Sequence, residues 1–242
     1  MPKKIKPAKF LTELRKKLKA NIDEKTKKGF QRYFKSQVTF YGVKSAGVNK
    51  IAKEYFKKIE SANLKKKKLF ALCEELLKSG YCEEAFIAAN FTYWYGNSEK
   101  EDFVTYERFI DKYIDNWAEC DTFCNHTVGS FIEKYPEYIG SLKLWAKSKN
   151  LWLRRASAVS LILPARKGKF LKDIFGIADI LIADKEDMVQ KGYGWMLKEA
   201  SRRHPKEVFE YVMKNKNIMP RTALRYAIEK MPQDLKIQAM KK

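Results

Sequence analysis

Apolar residues recur along nearly the whole chain at the spacing that places them on one side of a helix. Early examples are Phe10, Leu11, Leu14 and Leu18, followed by Val48, Ile51, Ala52, Tyr55, Phe56 and Ile59. This spacing is typical of amphipathic helices, and the strict alternation of apolar and polar residues that marks a strand is absent. The pattern therefore predicts an all-helical fold.

Residues that break or cap helices divide this pattern into segments of one to two dozen residues. The clearest breaks are Ser79-Gly80, Gly96-Asn97-Ser98, Tyr135-Pro136, Gly168 and His204-Pro205. Glycine and proline disfavour helix interiors, and serine, asparagine and histidine are common beside them at helix ends. We therefore expect a dozen or so helices joined by short turns.

A weak internal repeat indicates how these helices are arranged. Residues 152–158 align with residues 188–194 at an offset of 36. This offset lies just below the period of about 40 to 47 residues of HEAT-type helix pairs. The prediction is a HEAT-like solenoid of stacked antiparallel helix pairs with a concave basic face, formed by residues 26–242 as a single domain. Residues 1–25 are predicted to be a lysine-rich N-terminal segment that includes the start of the first helix.

The charge balance points to a polyanionic partner. Of 242 residues, 50 are Lys or Arg and 29 are Asp or Glu, which gives a formal net charge of +21. Basic clusters are spread over the whole length, at 3–9, 15–19, 65–68, 154–155 and 202–203. Phosphate binding along a groove needs cations from successive repeats, so nucleic acid is the leading partner. The simpler alternative is a solvated lysine-rich surface.

Targeting segments and metal ligands are not apparent in the sequence. No segment approaches the roughly 18 apolar residues needed to span a bilayer, so we expect no membrane partner and a cytoplasmic protein, associated with the nucleoid when bound to DNA. The four cysteines lack paired spacing and are interpreted as core thiols. Cys120 and Cys124 lie beside His126, but a zinc site needs a fourth ligand. No metal is predicted.

Two common kinds of enzyme site are disfavoured. Residues 42–47 have the two-glycine spacing of a phosphate-binding loop, but Val48 and Asn49 follow where lysine and serine or threonine are required. The chain has two histidines, and no serine or cysteine lies near one in a hydrolase-type motif. We therefore expect neither a nucleotide cofactor nor triad chemistry.

One group of residues could perform chemistry on DNA. Trp117 and Asp121 lie four positions apart, so on a helix they project from one face. Arg155 follows Trp117 by 38 residues, and Trp195 follows Arg155 by 40, about one repeat each. Equivalent faces of adjacent repeats are expected to converge. The alternative is that the tryptophans are core residues and that Asp121 forms a local cap or ion pair.

The motifs around these residues resemble the AlkD-like family of DNA alkylation repair glycosylases. They read Trp-x-x-x-Asp at 117–121, Trp-Leu-x-Arg-Ala at 152–156 and Gly-Trp-x-Leu-Lys-Glu at 194–199. Residues 32–34 and 40–43 resemble the family's first helices. The resemblance extends from about residue 31 to about residue 230.

The resemblance implies a fold, an activity and a set of residues. The fold is a HEAT-like solenoid that holds duplex DNA in its concave cleft, and the activity is hydrolysis of the N-glycosidic bond of cationic alkylpurines such as 3-methyladenine and 7-methylguanine, with the lesion left stacked. No metal or organic cofactor takes part. Trp117, Asp121 and Trp195 fall on the catalytic cluster, and Arg155 and Lys198 fall on residues that grip the DNA backbone.

This chain departs from the family's pattern at two positions. Lys198 stands in place of an arginine, which keeps the charge but loses bidentate geometry. Lys44 stands where a polar amide is more common, before Ser45. The complete predicted DNA-binding set is Tyr33, Lys44, Ser45, Arg155, Lys191 and Lys198.

Two other functions remain open at this point. The first is a catalytically silent DNA-binding protein of the same fold that recognises damaged, bent or branched DNA by shape. The second is a protein-binding HEAT adaptor, which would be expected to carry large exposed apolar patches. For the enzyme, duplex DNA with alkylated bases is the expected partner, and the chain is expected to act as a monomer.

Overall fold

The computed structural model describes residues 5–241, so residues 1–4 of the predicted N-terminal segment and Lys242 lie outside the described part. The α-helices are, in order, α1 (Pro7–Lys19), α2 (Glu24–Phe30), α3 (Ser45–Ser61), α4 (Lys66–Leu77), α5 (Cys82–Tyr95), α6 (Asp102–Tyr113), α7 (Trp117–Phe123), α8 (Gly129–Lys134), α9 (Ile139–Trp145), α10 (Leu151–Val159), α11 (Ile162–Arg166), α12 (Leu171–Leu181), α13 (Asp187–Ala200), α14 (Pro205–Asn215), α15 (Arg221–Ala227) and α16 (Gln233–Met240). Two 3-10 helices, Gln31–Tyr33 and Pro136–Tyr138, and a π-helical turn, Cys124–Val128, complete the helical elements.

The all-helical prediction is confirmed. Across residues 5–241 no strand forms, and a β-bridge between Thr39 and Tyr81 is isolated. The predicted breaks at Ser79-Gly80 and Gly168 lie between helices, and the break at His204-Pro205 marks the start of α14. His204 precedes α14 and Pro205 is its first residue, where the missing N–H costs no helical hydrogen bond.

The chain packs as two compact units. Unit 1 contains the described residues up to Ser98 together with Lys112–Phe123, and unit 2 contains Glu99–Asp111 and the described residues from Cys124 onward. In unit 1, α1 packs on α3 and α4, and α5 packs on α3, α4 and α7. Helix α1 buries Phe10, Leu11, Leu14 and Leu18, so it belongs to the core of this unit. A separate segment 1–25 stays a prediction.

Unit 2 shows the stacking that the internal repeat indicated. Helices α10 and α13 begin 36 residues apart and pack on each other, and α15 packs on α13 in turn. Their partners α9 and α12 also pack together. The short helix α11 is an addition to the predicted helix pairs, because a proline at position 164 cannot continue α10: its ring would meet the carbonyl of Ser160.

The four cysteines of the chain lie in the core. Cys73, Cys82, Cys120 and Cys124 are all buried, as predicted for core thiols. Within residues 5–241, no group of three or more His, Cys, Asp or Glu side chains could hold a metal ion. No helix in the same range is long and apolar enough to cross a membrane.

Two buried carboxylates at the start of α5 hold the loop that leads into α3. Glu83 accepts the backbone N–H groups of Tyr41, Gly42 and Val43 at 3.0, 2.8 and 3.1 Å. Glu84 accepts the Tyr41 hydroxyl at 2.7 Å and a forked pair of hydrogen bonds from Arg15. Burial and then Glu84 raise the pKa of Tyr41 above its ordinary value. The loop is therefore fixed to the N-terminal end of α5.

Glycine is required at one position of this loop. Gly42 has a φ of +95°, and a Cβ built there would lie 2.5 Å from the Cβ of Lys27. Both the backbone conformation and the close contact exclude a side chain. Gly42 belongs to the sequence that resembled a phosphate-binding loop, and its role here is to let this turn form against α2.

Replacing Glu83 with alanine is expected to lower the free energy of unfolding by about 3 kcal/mol or more, because three buried N–H groups lose their acceptor. Glu83→Gln, which keeps one oxygen, should lose less. Chemical denaturation measures both. Glu60→Ala, at an exposed position of α3, is the control and should change stability by less than about 0.5 kcal/mol. Equal losses at positions 83 and 60 would contradict this account.

Candidate active site

Helix α7 carries the first part of the candidate site and begins at a side-chain cap. The Asn116 side-chain oxygen accepts the backbone N–H groups of Ala118 and Glu119, each at 3.1 Å. Asn116 is buried, so this cap is protected from water. Trp117 and Asp121 are both half-buried in α7 at positions i and i+4. They therefore lie on one side of the helix, as the spacing predicted.

The indole of Trp117 is held by the segment that precedes the anchored loop. Its Nε1–H donates to the backbone carbonyl of Tyr33 at 3.2 Å. The Phe34 ring stacks on it with a centroid distance of 5.3 Å and an interplanar angle of 23°. The Tyr33 side chain is 73% exposed. The structure thus brings together two predicted site residues, Trp117 and Tyr33, and adds Phe34, which sequence reasoning missed as a site residue.

A buried carboxyl anchors the other side of α7. Glu119 is 4% exposed, and burial, followed by the charge of Asp115, raises its pKa to about 7. Its hydrogen-bond partners are the side chain of Asn116, the thiol of Cys82 at the start of α5 and the backbone of Asp115. Asn116 also donates to the Cys82 sulfur at 3.5 Å. This polar cluster ties α7 to α5, and it faces the protein interior.

A π-helical turn follows α7 directly in the chain. It spans Cys124–Val128, begins three residues after Asp121, and was not predicted from the sequence. Such turns are rare and are frequent at functional sites. The glycine that follows it, Gly129, would place a Cβ 3.0 Å from the carbonyl oxygen of Ser160, so the chain packs tightly here.

In unit 2, Arg155 lies inside the contact between α10 and α13. The side chain is 4% exposed, and its guanidinium donates to the backbone carbonyl of Met188. If Gly192 carried a Cβ, that atom would lie 3.3 Å from the Cγ of Arg155. A Cβ at position 192 would therefore make a tighter contact than most side chains do. Contact between Arg155 and a DNA backbone stays a prediction, and it would require the guanidinium to exchange or share this partner.

Trp195 is placed by a second close contact of α13. It is half-buried, and the preceding Gly194 would place a Cβ 2.7 Å from the Cβ of Tyr226 and 2.8 Å from the carbonyl oxygen of Ala223. Helix α13 can approach α15 this closely only because Gly194 has no side chain. The Gly-Tyr-Gly-Trp sequence thus has a packing reason for both of its glycines.

Each predicted phosphate-binding lysine has a carboxylate partner. The ion pairs are Lys44 with Asp23 at 3.0 Å, Lys191 with Asp187 at 2.9 Å and Lys198 with Glu229 at 2.8 Å. The Lys198 ammonium also lies 5.5 Å from the centre of the Tyr226 ring. Because a phosphate would compete with a carboxylate for the same ammonium, DNA binding by these lysines would involve exchange of ion pairs.

The predicted site residues fall into two sets. Tyr33, Lys44, Ser45, Trp117 and Asp121 belong to unit 1, where Ser45 is the exposed first residue of α3. Arg155, Lys191, Trp195 and Lys198 belong to unit 2. Convergence of the two sets on one surface, and the concave basic face itself, stay predictions from the repeat spacing.

The all-helical structure and the stacked helices of unit 2 define a helical-repeat protein. The sequence profile of the family described as DNA alkylation repair enzyme matches residues 14–231, and the chain belongs to this family. The resemblance found in the sequence motifs is thereby confirmed. Membership supports a role in the repair of alkylation damage, with DNA as the partner.

A solved structure has the same fold. It is described as a predicted DNA alkylation repair enzyme from Enterococcus faecalis, and it superposes with a TM-score of 0.78 over 88% of this chain and 98% of its own. The two sequences are 19% identical, so the likeness establishes the fold. No curated protein matches the chain.

The raised pKa of Glu119 predicts a pH dependence of stability. Between its ordinary value of 4.5 and the folded value of about 7, the native state holds a proton that the unfolded chain has released. The free energy of unfolding should therefore fall as pH rises through this window, by at most about 3 kcal/mol. Denaturation of wild type and Glu119→Gln at several pH values between 4.5 and about 7 measures the difference. Equal pH slopes would show that Glu119 is not the titrating group.

Proposed function

We propose that this protein is a monofunctional DNA glycosylase that hydrolyses the N-glycosidic bond of N3- and N7-alkylated purines in duplex DNA. The observation that carries the proposal is the pairing of Trp117 and Asp121 on one side of α7, with the indole plane of Trp117 held by neighbouring groups. Membership of the DNA alkylation repair enzyme family supplies the class of substrate.

The chemistry follows from the charge of the lesion. An alkyl group on N3 or N7 makes the purine cationic. When the bond between the sugar C1′ and the base nitrogen breaks, both electrons go to the base, which leaves neutral, and positive charge develops on the sugar. The reaction then needs stabilisation of a cationic sugar more than protonation of the leaving base.

Trp117, Trp195 and Asp121 are suited to that task. The electron-rich faces of the two indoles attract a nearby cation. The Asp121 carboxylate stabilises the developing positive charge and accepts a proton from the water that attacks C1′, which leaves an abasic site. We propose that Arg155, Lys198, Lys44, Ser45, Lys191 and Tyr33 contact the DNA backbone, and that no metal or organic cofactor takes part.

The decisive experiment for this activity uses duplex DNA with a single 7-methylguanine and an excess of protein. Wild type should release the base, detected as strand cleavage at abasic sites by alkali. Asp121→Asn should keep its thermal stability and DNA affinity but lose about 10²- to 10³-fold in the single-turnover rate, because the carboxylate acts mainly as charge develops.

Glu60→Gln removes the same charge from an exposed position of unit 1 and should match wild type. DNA binding without base release by wild type would favour the silent DNA-binding protein of the same fold. Loss of stability in Asp121→Asn would favour a structural role for that carboxylate.

Substrate choice tests the electrostatic mechanism itself. None of Trp117, Asp121 and Trp195 is an evident general acid, so a neutral base lacks the protonation that it needs to leave. Uracil, hypoxanthine and 8-oxoguanine should therefore persist under conditions in which 7-methylguanine or 3-methyladenine is released. Rates are compared on matched duplexes. Equal excision of neutral and cationic bases would contradict the mechanism and direct attention to Glu119 as an acid and to base flipping.

A further inference from the structure

The rings of Phe34 and Trp117 stack on each other although the two residues lie far apart in the sequence. Phe34 follows the 3-10 helix Gln31–Tyr33 and is half-buried, and its ring covers one face of an indole that lies 83 positions later in the sequence. Phe34 is thus placed where it restrains the plane of the Trp117 indole.

Two independent contacts define the orientation of this indole. The stacked Phe34 ring constrains its plane, and the hydrogen bond to the Tyr33 carbonyl constrains the direction of its N–H edge. An aromatic side chain has two rotatable bonds, χ1 and χ2, so a plane and a direction together leave it little freedom. Both contacts come from adjacent residues of one segment.

That segment is itself well anchored. The side chain of Gln31 donates to the carbonyl of Ser36 at 2.8 Å and accepts the N–H of Val38 at 3.2 Å, which closes the turn after Phe34. Further along, the carbonyl of Thr39 accepts the N–H of Cys82 at 3.0 Å, and Glu83 accepts the backbone N–H groups of residues 41–43. The Phe34 ring also packs against Phe30 at 5.3 Å. The support for Trp117 therefore does not depend on a mobile surface side chain.

From this geometry we propose that Phe34 is a positioning residue for Trp117. By fixing the plane of the indole, Phe34 influences the rate of base release. The inference rests on the proposed glycosylase function. The attraction between an aromatic face and a cation depends on the cation lying over the ring, so a tilted indole stabilises the developing sugar charge less. Small errors in such placement have large effects on rate.

The simpler reading is that Phe34 contributes only to the aromatic packing of unit 1, together with Phe30 and Phe40. In that case replacing it would lower stability and change the excision rate no more than loss of a stacked ring elsewhere. A matched control exists in Phe175, which is also half-buried and stacks on Tyr211 at 4.7 Å. The two readings differ in what happens to Trp117.

The first measurement follows the indole directly in the full-length protein. In an ¹⁵N-labelled sample, the Nε1–H signal of Trp117 is assigned by its loss in Trp117→Phe. Phe34→Leu should shift this signal and speed its hydrogen exchange, because the ring current and the restraint are both removed. Phe34→Tyr, which keeps the ring, should preserve the signal, and Phe175→Leu should leave it unchanged.

The second measurement is excision of 7-methylguanine from duplex DNA under single-turnover conditions. Phe34→Leu should slow the rate about tenfold at saturating protein, with the Kd for duplex DNA within about twofold of wild type. Phe34→Tyr should restore the rate to within about twofold, and Phe175→Leu should not slow it.

The outcomes separate the inference from the proposed function. An unchanged Trp117 signal in Phe34→Leu, or an equal slowing in Phe175→Leu, would overturn the positioning role. If wild type releases no base, the glycosylase proposal fails, and the indole signal alone then decides whether Phe34 orients Trp117.

Discussion

The capture of backbone N–H groups by Glu83 is the constraint on which the candidate site in unit 1 depends. One buried carboxylate accepts three consecutive N–H groups, and the adjacent Glu84 joins Arg15 and Tyr41. A charge removed from water needs such partners, and these partners are supplied by a loop rather than by a helix. The same loop begins beside Trp117, so the carboxylates that stabilise unit 1 also determine where the candidate catalytic indole is held.

In unit 2 the corresponding constraint is close packing of helices. Gly192 and Gly194 let α13 approach Arg155 on one side and α15 on the other, and Trp195 is the next residue. The Gly-Tyr-Gly-Trp sequence that resembles the repair family is therefore partly a packing motif. Trp195 itself is half-buried. Packing and candidate chemistry are thus determined by the same turn of helix.

The net charge of the molecule and its individual ion pairs have different effects on the binding of a polyanion. The formal net charge of +21 sets a long-range attraction for polyanions. Locally, however, Lys44, Lys191 and Lys198 are each paired with a carboxylate. Such pairs reduce the gain from a single phosphate contact, because one ion pair replaces another. Net charge therefore indicates the class of partner, whereas the strength of an individual contact depends on the pair that it replaces.

Sequence patterns alone established the helical class, five of the breaks between helices, the stacking offset of 36 residues and the placement of Trp117 and Asp121 on one side of a helix. These properties follow from local periodicity and from glycine and proline, which act within a few residues. Only the tertiary structure decided that Phe34 stacks on Trp117, that Arg155 is buried against Met188, and that Glu119 is enclosed with Cys82. Each of these contacts joins residues that are 33 to 83 positions apart, and no local pattern records which distant backbone carbonyl, ring or thiol a side chain will meet. The π-helical turn Cys124–Val128 was also missed, because helical periodicity alone does not distinguish a single π-helical turn from an α-helical one.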